Sequence, residues 1–197
     1  YGPKICTDFL IEFIEQERDK PFFAYYPMLS VHSPFLPTPD SKNRNHKNAA
    51  DNYRDMVSYM DKCVQRLVDT LEKNGLRQNT IVIFTTDNGT QTSLTYPYQG
   101  KNRKGEKAYP TDGGCHAPLI INCPGTVTLG SETNDLVDFS DFMPTLAEIG
   151  NAQLPDVTLD GRSFWPQCTG KPGNPREWVF QYYYPKKKDA AKQYGEG

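Results

Sequence analysis

Two rhythms of apolar and polar positions run along this chain. Between 49 and 74, Tyr53, Met56, Val57, Met60, Val64, Leu67, Val68 and Leu71 recur at spacings of three and four. That spacing predicts a helix with one buried face. Asn74-Gly75 closes it, glycine being common just past helix ends. Asp8 can cap a shorter helix reaching about residue 18, with Phe9, Leu10, Phe13 and Ile14 on one face. Residues 139–149 predict another helix, ended by Gly150, in which Pro144 is tolerated only in the first turn. The other rhythm is the short apolar run. Segments 21–31, 81–86, 119–123 and 178–184 are rich in β-branched and aromatic residues and predict strands. Helices feeding strands through short turns suit an α/β sheet. The polar, proline-rich stretch 32–47 and the stretch 90–105 read as long loops, and 151–175 as a crossing between subdomains.

The chemistry gathers at the strand ends. The run 81–86 stops at Asp87-Asn88-Gly89. In open parallel sheets, ligands sit beyond the carboxyl ends of strands. A carboxylate and a carboxamide there offer the hard oxygens that Ca²⁺ and Mg²⁺ prefer. The same three residues are also ordinary turn formers. Lys107 lies five residues before Asp112-Gly113-Gly114, but Lys101, Arg103 and Lys104 crowd the same stretch, so a plain surface lysine is the competing reading. The run 21–31 ends at His32-Ser33-Pro34, where an imidazole can move protons near neutral pH or simply shape a turn.

Taken in order, His32 before proline, Asp87-Asn88-Gly89, Lys107 ahead of Asp112-Gly113-Gly114, and Asp160-Gly161-Arg162-Ser163 resemble the sulfatase family of the alkaline-phosphatase superfamily. The resemblance covers nearly the whole chain. It implies a mixed, largely parallel sheet flanked by helices. Residues 1–152 would belong to the catalytic α/β domain, and 153–197 to the crossing and the start of a small α+β subdomain. It implies that Asp87 and Asn88 bind a divalent metal, Ca²⁺ with Mg²⁺ as the alternative. His32 and Lys107 are then catalytic and substrate-binding residues. The implied reaction is sulfate ester hydrolysis through a formylglycine nucleophile. No Cys or Ser here is followed by Pro two residues on and Arg four on, the pattern that yields formylglycine. The expectation is therefore a portion of a longer enzyme, inactive by itself, with the nucleophile upstream. Two positions depart from the family, which often has Glu at Asp112 and Arg at His116. A phosphodiesterase or phosphonate monoester hydrolase of the same superfamily, or a non-catalytic binding homologue, is the alternative.

Composition narrows the partners. A net charge of −2 over 197 residues argues against a general nucleic-acid binder. Lys186-Lys187-Lys188 reads as a solvated run. No apolar stretch approaches the ~20 residues that span a bilayer. Five cysteines form neither a dense disulfide framework nor a CxxC metal pattern, and the odd count leaves at least one thiol unpaired within the chain. The expected partner is a sulfate ester, a sulfated carbohydrate being one form. Tyr96, Tyr98 and Tyr182 to Tyr184 could stack on sugar rings or simply pack. The family resemblance implies an extracytoplasmic setting.

Overall fold

The two long helices come first in the chain and hold most of the buried apolar residues found among the described ones. In a computed structural model describing residues 1–184, α1 (Gly2–Glu17) and α2 (Ala49–Lys73) pair within one compact unit, residues 1–81 with 123–125. Ile14, Met56, Tyr59, Cys63 and Leu71 are the buried apolar residues of the two helices. Asn48 caps α2, its side-chain oxygen accepting from the N–H groups of Ala50 and Asp51. At the far end the Leu76 N–H donates to the Leu71 carbonyl at 2.8 Å, past Gly75 at φ 69°. The helix starts earlier than Asp8, because Pro3 in the first turn suits a helix start. Asp8 lies mid-helix instead, its carboxylate accepting from Lys4 at 2.6 Å and Arg66 at 2.7 Å.

Segment 21–31 keeps the alternation expected of a strand. Phe22, Tyr26 and Met28 are half-buried, while Phe23, Tyr25 and Leu29 are exposed. It joins no β-ladder among the described residues, since alternation prepares a strand but only a neighbouring strand makes one. Residues 178–184 likewise form no ladder strand.

The second unit comprises 82–122 and the chain from 126 onward. Its strands are β1 (Val82–Thr85), β2 (Thr95–Tyr98), β3 (Lys101–Lys104) and β4 (Leu119–Asn122), with the single turn α3 (Asp112–Cys115) before β4. The helix-and-strand class stands. The largely parallel sheet, however, is not what these strands make: β1 pairs antiparallel with β4, from Val82↔Asn122 to Thr85↔Leu119, and β2 pairs antiparallel with β3. The physical reason lies in the connection. Parallel neighbours need a crossover back to the strand's start. Here a hairpin and α3 bring the chain back at the end of β1, so β4 runs the other way. The expected 90–105 loop is this hairpin. No helix among the described residues is long and apolar enough to cross a membrane. The Lys186–Lys188 run lies outside the described residues.

A carboxylate organises the rest of this unit. Asp141 is 1% exposed and precedes α4 (Phe142–Ile149), which keeps Pro144 in its first turn. It accepts from Arg176 at 2.6 and 2.7 Å, from the Arg162 N–H at 2.7 Å and from the Asp138 N–H at 2.8 Å. Arg176 also reaches the Asp160 carbonyl at 2.9 Å. At Gly161 a Cβ would meet the Ser140 carbonyl oxygen at 1.9 Å, so the Asp160-Gly161-Arg162-Ser163 element lies directly on the start of α4. α5 (Trp165–Cys168) follows it.

Burial opposes ionisation of Asp141, but the Arg176 guanidinium and the two backbone N–H groups outweigh it and hold the carboxyl below its usual value. A depressed folded-state value stabilises the fold above the unfolded carboxyl value of about 3.9. That stabilisation is lost as pH falls through the lower folded value. Asp141→Ala strands a buried guanidinium and should cost about 3–5 kcal/mol at neutral pH. Denaturant unfolding should show this gap, and the gap should shrink as pH is lowered below about 4.

Candidate active site

The end of β1 meets the turn before β4 through bare backbone. The Gly89 N–H donates to the Gly114 carbonyl at 2.8 Å. A Cβ on Gly89 would lie 1.9 Å from the Gly113 carbonyl oxygen, a distance no side chain tolerates. The Asp-Asn-Gly bend and the Asp-Gly-Gly turn are thus held face to face. One residue on, the Thr90 carbonyl accepts the Lys107 N–H at 2.9 Å. Asp87, Asn88 and Lys107 are therefore brought together on one backbone scaffold within one unit.

The side chains there are free to work. Asp87 is exposed and, among the described residues, has no hydrogen bond or ion pair. The Asn88 amide nitrogen donates to the Gly89 carbonyl at 3.2 Å, and its side-chain oxygen is left uncommitted. Two uncommitted hard oxygens side by side fit a Ca²⁺-type cation in kind. They do not fit it in number, since calcium takes about six to eight ligands. Among the described residues no group of three or more His, Cys, Asp or Glu gathers to hold a metal.

The lysine loop has its own brace. Thr111 donates to the Glu106 carboxylate at 2.5 Å, and Ala108, just after Lys107, sits at φ 73°. Non-glycine residues rarely adopt that conformation, and when they do they cluster at functional sites. Asp112 accepts from His116 Nδ1 at 3.0 Å on an exposed surface. Neither the sequence pattern nor composition signals the Glu106 brace. All five cysteines are free, Cys115 exposed among them.

His32 belongs to the other unit. It follows Val31, a β-branched residue at φ 63°, a second outlier beside a candidate residue. Its Nδ1–H donates to the Ser33 carbonyl at 2.7 Å, so a neutral ring presents Nε2 as the acceptor. A cavity of ≈ 290 Å³ lies beside it, lined by Leu29, Ser30, Pro34 and Met56 among others.

A family model described as Sulfatase matches residues 3–152. The chain belongs to the sulfatase family. This sulfatase chain is 31% identical over 179 residues to the steryl-sulfatase of Rattus norvegicus, covering 87% of its own length and 30% of the relative. Among solved structures it is similar to Ps i-CgsB in complex with k-i-k-neocarrahexaose. That match has a TM-score of 0.68 and 28% identity, covering 84% of this chain and 38% of the other. It is also similar to a protein bound to its substrate D-glucosamine-2-N,6-O-disulfate. There the TM-score is 0.58 and the identity 26%, covering 69% of this chain and 26% of the other. The sulfatase chain spans about a third of the length of the curated relatives it matches.

Gly89→Ala should break the seat on Gly113-Gly114 and destabilise the protein by about 1–3 kcal/mol, as overpacking does. Gly2→Ala, in open surroundings at a helix start, should be near neutral. Paired thermal unfolding of the two variants checks this.

Proposed function

We propose that this chain supplies the calcium-binding strand end and a sulfate-holding lysine of a sulfatase that hydrolyses sulfate esters, sulfated carbohydrates among them. The observation that carries the reading is the Gly89–Gly114 junction, which groups Asp87, Asn88 and Lys107. Asp87 and Asn88 would contribute two oxygen ligands. Calcium there would neutralise part of the ester's negative charge and orient the nucleophile. The reading puts the formylglycine nucleophile and the remaining ligands in sulfatase sequence outside these 197 residues. That agrees with a chain spanning about a third of its curated relatives.

The chain's own residues hold and move charge. The Lys107 ammonium, fixed at its backbone by Thr90, donates to a non-bridging sulfate oxygen. His32, whose Nδ1–H is committed to Ser33, carries a proton on Nε2 when charged and delivers it to the departing alkoxide. That second role rests on the family resemblance and on the backbone outlier at Val31. Sulfated carbohydrate as the substrate class is supported by the sugar ligands of two similar structures. In this reading the complete sheet is mixed and largely parallel, its other strands lying in sulfatase sequence beyond this chain. Residues 1–152 fall in the catalytic domain, and 153 onward begin the next subdomain. An extracytoplasmic setting belongs to the same reading.

The full-length protein should hydrolyse an aryl sulfate, lose that activity to a calcium chelator and regain it on adding Ca²⁺. Lys107→Ala should lower kcat about 10²–10³-fold, the usual cost of removing one donor to developing charge. Asp87→Ala should raise the calcium needed for activity. Turnover indifferent to chelation and to Asp87→Ala refutes the assignment.

A further inference from the structure

Four of the chain's 22 Lys and Arg residues fall between 101 and 107, in a protein whose net charge is −2. Three of them stand on the β2–β3 hairpin. Its two-residue turn, Gln99 at φ 49° and Gly100 at φ 75°, suits the right-handed twist of paired strands. The register decides which side chains share a face. Tyr96 lies opposite Arg103 and Tyr98 opposite Lys101, so these four stand on one side. Thr95, Pro97, Asn102 and Lys104 stand on the other. The first side therefore alternates aromatic rings and cations. Arg103 lies 4.9 Å from the Tyr98 ring centroid, a cation–π contact that holds the guanidinium in place. Tyr98 is 43% exposed, and Lys101 and Arg103 are exposed too. Among the described residues Lys101 has no carboxylate partner, and Arg103 has only Asp112, at a loose 3.9 Å.

The hairpin grows directly out of the candidate site. At its root the Gly105 N–H donates to the Leu94 carbonyl at 2.9 Å. Two residues further on, Lys107 is pinned to Thr90. Packing explains little of the arm: every residue of β3 is exposed, and in β2 only Tyr96 is half-buried.

We propose that this hairpin is a substrate-recognition arm for a sugar bearing a second anionic group beyond the ester being cleaved. This rests on the sulfatase reading of the neighbouring site. The tyrosine rings take the apolar face of a sugar. The Arg103 fork and the Lys101 ammonium take the further sulfate or carboxylate. The substrate is then a multiply charged oligosaccharide rather than a lone aryl or steroid sulfate.

The test measures binding to the full-length protein of three probes: a heparin-derived hexasaccharide, N-acetylglucosamine 6-sulfate, and a single-stranded oligonucleotide of matched charge. The hexasaccharide should bind at least about tenfold tighter than either other probe, with Kd rising steeply with salt. The double variant Lys101→Gln/Arg103→Gln should weaken hexasaccharide binding about tenfold and flatten its salt dependence. Tyr98→Ala should weaken it while Tyr98→Phe preserves it, which separates ring stacking from loss of folding. Equal affinity for hexasaccharide and monosaccharide, an oligonucleotide bound as tightly as the hexasaccharide, or an unchanged Kd in the double variant would each overturn the proposal. Aryl sulfate turnover is read separately: its failure counts against the sulfatase centre, whereas loss of the hexasaccharide preference counts against the arm.

Discussion

One backbone-to-backbone contact fixes the geometry of the candidate centre. Gly89 rests against Gly113 and Gly114 with no room for a single carbon between them. Because the contact is made by main chain, side-chain rotation cannot loosen it. Everything chemically interesting in this unit is referenced to it: the Asp-Asn pair directly before it, and Lys107 one hydrogen bond away through Thr90. The contact also sets the local topology. It returns the chain at the carboxyl end of β1, and β4 then pairs antiparallel along that strand.

The second unit contains another kind of anchor. Asp141 collects four donors from residues far apart in sequence. A buried carboxylate is costly unless it is fully satisfied, so it fixes the path of every segment that supplies it. Phe164 follows suit, its N–H donating to Thr145 and its ring packing edge-on against Phe142. Glycines at 89 and 161 solve the same problem in two places, each letting main chain lie where a side chain would collide.

What the sequence made legible follows from which forces are local. The helix over 49–74 came within a residue of α2, because a sustained apolar stripe and the Asn74-Gly75 stop are both local signals. The central strands were visible as β-branched runs. Asp87, Asn88 and Lys107 were visible as residue types at spacings that resemble a known family. The hairpin was not, since β3 reads Lys-Asn-Arg-Lys and offers no apolar alternation. Its one cue was glycine in the turn at Gln99-Gly100. Pairing direction was also invisible, being decided by the contact between residues 89 and 114. Segment 21–31 shows the converse: its alternation is plain, but a ladder depends on a neighbour that no local pattern supplies.

The two-residue turn of the hairpin has a consequence for how such an arm can change. Strand side chains alternate sides with a period of two, so gaining or losing one residue in either leg rotates its row of rings or charges to the opposite side. Lengthening by pairs keeps the rows aligned and merely extends the reach. Drift in this arm is therefore quantised: odd steps scramble the pattern of aromatics and cations, and even steps preserve it.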